Sequence, residues 1–187
     1  MHRLVASLIV VATASAAFAQ PVPPAPYNPT ADANAQVAAA LKLAKEDGIH
    51  VLLTFGTNTD DASQAFAVAR RSKELSQFFS TEFKVVNIEV GENRNHDVAR
   101  NYGVTLTAGS LPMLAVLDAD GKVLARQSAS AFRSDGAAKA FDTAKIGAFL
   151  TTHRPPPAPD ADPVLADALQ RAKSEGKTLF VWFSAPW

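Results

Sequence analysis

A helix-then-strand passage is written twice in this chain, and the repetition fixes where its folding units begin. Residues 32–59 read DANAQVAAALKLAKEDGIHVLLTFGTNT, and residues 160–187 read DADPVLADALQRAKSEGKTLFVWFSAPW. The two align without a gap and share nine identical pairs, among them Asp32/Asp160, Ala44/Ala172, Gly48/Gly176 and Phe55/Phe183. In the strand part, Val51, Leu52 and Leu53 align with Leu179, Phe180 and Val181, one apolar residue for another. One complete unit is therefore expected first, followed by the opening of a second.

The units sit between recognisable punctuation. His2 and Arg3 precede a short apolar stretch from Leu4 to Phe18, and Ala17-Phe18-Ala19 forms a small-x-small cleavage site before Gln20. Residues 1–19 thus read as a secretory signal peptide rather than an anchor, since a membrane span needs about 20 apolar residues. The expected destination is periplasmic or secreted, with no stable membrane span after cleavage. Residues 20–31 begin QPVPPAPYNP and read as a proline-rich, extended linker. A domain is expected over 32–152, a second proline-rich linker over 153–163, and a truncated second domain over 164–187.

Within 32–152 the spacing predicts elements directly. Asp32 caps a helix over 33–47 that Gly48 ends, with Val37, Ala40, Leu41 and Ala44 as its apolar stripe. Residues 51–55 (VLLTF) form a short apolar run of the kind expected for a buried central strand. A long helix is expected from Asp60 or Asp61 to about Phe79, then an alternating strand over 83–90 and a short helix over 93–102. Pro112 opens a strand over 113–117, and Asp118-Ala119-Asp120-Gly121 turns it back into another from Val123. A last helix is expected over 138–152. In the second copy a helix over 163–175 and a strand over 178–183 are expected. Helical connections demand right-handed parallel crossovers between the first strands, and the hairpin makes the last pair antiparallel. The fold class is α/β: a four-stranded mixed sheet with helices on both faces.

Composition excludes several chemistries. The 18 basic and 18 acidic residues balance, leaving no basic footprint for nucleic acid. There is no cysteine, so thiol exchange, thiolate metal binding and disulfides are all impossible in this chain. His2, His50, His96 and His153 are scattered without metal-ligand spacing. Neither a metal nor a cofactor is expected.

The order of elements, with a proline opening the third strand and an Asp-Gly hairpin, resembles the thioredoxin fold. Residues 44–66, AKEDGIHVLLTFGTNTDDASQAF, and residues 86–124, VNIEVGENRNHDVARNYGVTLTAGSLPMLAVLDADGKVL, resemble the two halves of periplasmic thioredoxin-like domains. In that family two cysteines stand at the N-terminus of the second helix, whose N–H groups and dipole stabilise a thiolate. Here the resemblance puts Asp60 and Ser63 at those positions. Thr59 replaces the family's tryptophan, and Thr54 replaces a buried acid. Asp60 and Ser63 are read as helix-capping and first-turn residues; a hydrolytic or metal site built on Asp60 lacks partner ligands and ranks last. Pro112 falls at the family's cis-proline, and the resemblance implies that Leu111 and Pro112 grip extended peptide by strand addition; the alternative reading is that Pro112 only shapes the fold.

The expected function is that of a redox-inactive, noncatalytic module binding an extended peptide or a partner domain. The second copy ends F-S-A-P-W, where the family continues with Cys-x-x-Cys. An alternative is therefore a fragment of a thiol–disulfide oxidoreductase whose active pair lies just beyond Trp187, and a decaying gene is a further reading. An apolar segment over 179–183 without neighbours must dock, pair with another chain or aggregate.

Overall fold

The computed structural model describes residues 25–134, 140–157 and 160–182. Residues 1–19, read above as a signal peptide, the first residues of the leading linker and the segment Phe183–Trp187 lie outside the described residues. The elements run α1 (Ala33–Asp47), β1 (His50–Gly56), α2 (Asp61–Ala69), α3 (Lys73–Thr81), β2 (Phe83–Glu89), α4 (His96–Asn101), β3 (Met113–Leu117), β4 (Val123–Ser128), α5 (Thr143–Thr152) and α6 (Ala161–Glu175).

The sheet order is β2-β1-β3-β4. β1 is buried at all seven positions because both of its faces carry helices. Val51, Leu53 and Phe55 point to one side, into a core with Val37, Ala40 and Ala44 of α1 and Val98 of α4. Leu52 points to the other side, joining Phe66 of α2, Leu75 of α3 and Ile146 and Leu150 of α5. The α/β class and the four-stranded mixed sheet flanked by helices are as the sequence implies.

Several details differ. The single helix expected from Asp60 to Phe79 is two helices, broken where Ser72 is extended (φ −62°, ψ 153°). The break has a geometric cause. At about 100° per residue, Phe66 and Leu75 on one continuous helix would sit about 180° apart; the interruption lets both enter the same core.

The expectation of parallel crossovers holds for β1 and β2 and fails for β3, which runs antiparallel to β1. α4 has six residues, or about 9 Å, whereas a seven-residue strand such as β2 is about 23 Å long. So short a helix does not carry the chain back to the strand's start. β3 accordingly begins where β1 ends, with Phe55 opposite Met113.

α5 starts at Thr143 rather than 138, where Asp142 accepts the N–H groups of Ala144 and Lys145. The proline-rich stretch read as an extended linker is held on the domain from Pro26 onward, and Tyr27 is wholly buried. α6 reproduces the caps of α1, Asp160 before it and Gly176 (φ 61°) after it. It buries no residue. The strand expected over 178–183 forms no ladder within its described part, for it meets no neighbouring strand. Phe180 and Trp182 are 80% and 77% exposed there.

Candidate functional site

β1 ends at Gly56, and a short loop leads into α2. Asp60 is the N-cap of that helix, with the extended backbone such a cap requires (φ −98°, ψ 117°). Its Oδ2 accepts two hydrogen bonds at 2.7 Å, one from the Ser63 backbone N–H and one from the Ser63 hydroxyl. The two positions singled out in the sequence are thus brought together and bonded to each other. Ser63 is wholly buried, so its hydroxyl is closed to a substrate. Asp60 is half-buried at the mouth of the helix. The pair caps a helix; a carboxylate and a hydroxyl cannot exchange with a disulfide.

The loop before Asp60 is pinned from below. Buried Glu89, at the end of β2, accepts the N–H of Gly91 at 3.0 Å and that of Asn58 at 3.4 Å. Gln64 donates its side-chain amide to the Asn58 carbonyl. The hydroxyls of Thr57 and Thr59 lie 3.2 Å apart.

Beneath the site, Thr54 on β1 donates to Asn87 Oδ1 at 2.6 Å, and the same oxygen accepts from Arg70 Nη2 at 2.8 Å. Asn87 Nδ2 donates in turn to the Pro26 carbonyl at 2.9 Å. Burial pushes the Arg70 guanidinium below its ordinary value. Its hydrogen bond goes to a neutral amide, and it lies over the Phe66 and Phe79 rings at 5.7 and 5.8 Å.

Tyr27 completes the arrangement. Its phenol stands directly on Gly56: a Cβ there would meet the ring's Cζ and hydroxyl at 2.5 Å and the Ser63 hydroxyl at 2.7 Å. Burial raises the phenol's pKa, opposed by the nearby Arg70 charge and the neighbouring Thr54 and Ser63 hydroxyls. None of these neighbours gives the phenol a hydrogen bond of normal geometry.

The Leu111–Pro112 peptide is cis. The antiparallel register places Pro112 beside Gly56, at the end of β1 from which the Asp60 loop springs. Ser128 Oγ donates to the Ser110 carbonyl at 2.8 Å, and the Pro112 carbonyl accepts from Ala129 N–H at 2.9 Å. Between them, the backbone N–H and C=O of half-buried Leu111 have no hydrogen-bond partner among the described residues.

Tyr27, Asn58, Arg70, Asn87 and Glu89 escape the sequence reading. Only Tyr27 leaves a trace there, as the one aromatic residue in a proline-rich stretch. Among the described residues no three His, Cys, Asp or Glu side chains are grouped to hold a metal ion. Nor is any helix among them long and apolar enough to cross a membrane.

A parallel β1–β2 pair, an antiparallel β3–β4 hairpin opened by a cis-proline, and a helix mouth at the end of β1 define a thioredoxin-fold protein. No family model matches the sequence, and no curated protein matches it. Solved structures do. A disulphide isomerase from Xylella fastidiosa Temecula1 is 30% identical, with a TM-score of 0.59, and the match covers 68% of this chain and 95% of that one. This chain belongs to the thioredoxin-like superfamily. A thioredoxin from Thermus thermophilus is 18% identical with a TM-score of 0.46, covering 62% of this chain and 82% of that one. The C-terminal domain of Neisseria meningitidis DsbD in its oxidised form is 21% identical with a TM-score of 0.45, covering 66% and 94% respectively.

Proposed function

We propose that this chain is an exported, noncatalytic thioredoxin-fold module that holds an extended peptide or partner segment along Leu111 and Pro112. The observation that carries this reading is the unpartnered backbone of Leu111. An N–H and a C=O left open beside a sheet are what an incoming extended segment needs to add itself as a strand. The exchange chemistry of the family has no counterpart here. The chain has no cysteine, and the corresponding positions, Asp60 and Ser63, bond to each other. The leader-like residues 1–19 support export to the periplasm or beyond.

Titrating extended peptides into the isotopically labelled chain tests the binding reading. Amide shifts concentrated at residues 110–113 support it. Amides there that stay fixed with every peptide at millimolar concentration overturn it. In an insulin-type turbidity assay the chain is expected to run at background, and acceleration equal to that of a Cys-x-x-Cys protein would refute the redox-inactive reading.

A further inference from the structure

We infer that residues Pro26–Asn28 are a ligand bound in cis, and that Gly56, Asn58, Ser63 and Asn87 form a second peptide site that takes an extended segment with one aromatic anchor. This site is separate from Leu111 and does not rest on the reading above.

The first observation is how the segment's backbone is held. Asn58 Oδ1 accepts the Tyr27 N–H at 3.1 Å, and Asn58 Nδ2 donates to the Tyr27 carbonyl at 2.5 Å. One side-chain amide thereby satisfies both backbone groups of one residue, as a neighbouring strand would. Asn87 reads the preceding carbonyl, that of Pro26, in the same manner. These contacts depend on backbone shape and not on the identity of residues 26 and 28.

The second observation is the anchor. Tyr27 is fully buried, while its neighbours Ala25 and Asn28 to Thr30 are exposed. The pocket exists because residue 56 has no side chain; any Cβ there would occupy the ring's place. A single large buried side chain between solvated flanks is how short peptides dock.

The third observation is what lies on the segment's other side. It borders a groove of about 350 Å³ with walls that include Gln36 and Leu43 of α1 and Lys84 of β2. Pro26 and Asn28 line this groove, whereas the Tyr27 ring turns away from it into the pocket at Gly56. The phenol oxygen has no hydrogen bond of normal geometry to lose. A tyrosine or phenylalanine carried by another chain meets the same receptor.

The test uses the full-length chain with Tyr27→Ala and a synthetic peptide of residues 25–30, APYNPT. The peptide is expected to raise the variant's thermal midpoint and to move the side-chain amide signals of Asn58 and Asn87. The same peptide with alanine for tyrosine should do neither, and the unsubstituted chain, its site already filled, should bind at least tenfold more weakly. A folded variant that ignores the tyrosine peptide, or answers both peptides alike, overturns the inference and makes Tyr27 an ordinary core residue. Should the variant not fold, a protease site placed between Pro29 and Thr30 of the unsubstituted chain decides. Exchange of the cut segment for a labelled copy supports the inference. A cut segment that never exchanges, a released segment whose labelled copy fails to rebind, or a domain that unfolds on cutting overturns it. The side-chain amides of Asn58 and Asn87 report on this site and the backbone amide of Leu111 on the other, so the two proposals fail independently.

Discussion

Asp60 holds two donors of one residue, and removing its carboxylate strands both. Asp60→Ala removes a helix cap, worth about 0.5–2 kcal/mol. It also leaves the wholly buried Ser63 hydroxyl without its acceptor. The expected total loss is about 1–3 kcal/mol by urea unfolding. Asp60→Asn keeps an acceptor oxygen and should lose less than half as much. Tyr27 makes a separate prediction in alkali. Its folded-state pKa lies above the ordinary tyrosine value, so the folded protein retains the phenolic proton where the unfolded chain has lost it. The stability it contributes is therefore complete below pH about 10 and declines as pH rises beyond that. Tyr102, the other tyrosine, is raised as well, again by burial. Tyrosinate absorbance at 295 nm should lag the free amino acid and coincide with loss of ellipticity. A normal titration with the fold intact would show that Tyr27 is accessible.

At the scale of elements, β1 and the segment before α1 meet at Gly56. Gly56→Ala puts a methyl where the Tyr27 ring lies, so either the ring or the strand must move. The expected loss is about 1–3 kcal/mol. Chymotrypsin, excluded from buried Tyr27 in the native chain, should then cut after it; equal digestion of both proteins would contradict the geometry. How far such relations could be read in the sequence depended on their range. α1, with its Asp32 and Gly48 caps, and β3, opened by Pro112, follow from local chemistry and were legible to the residue. Asp60 and Ser63 were legible because a cap and its first turn are adjacent in sequence. The α2–α3 break was not, since only the shared core reveals that Phe66 and Leu75 must face one way. Tyr27 was hidden by its surroundings. Prolines and small residues read as linker, and the pocket that receives the ring is made by residues far along the chain, among them Thr54, Gly56, Asn58 and Ser63.

Over the whole molecule, two copies of one passage meet different fates. The first copy closes on β2 and β3; α6 of the second buries nothing, and its apolar Val164, Leu165 and Leu169 are exposed. Removing residues 160–187 should therefore leave one cooperative unfolding transition and change its free energy by less than about 1 kcal/mol. Such a deletion keeps Arg154, whose guanidinium pairs with the Glu82 carboxylate. A lost or split transition in calorimetry would show that the second copy supports the first.

The embrace between Asp60 and Ser63 also bears on redesign of this helix mouth. Installing a Cys-x-x-Cys pair there by design requires both residues to change together. Either cysteine alone breaks the mutual bond, and the lone sulfur would have no companion with which to complete a catalytic cycle. Each single exchange therefore gives up the contact that keeps the helix in place and gains no redox partner in return.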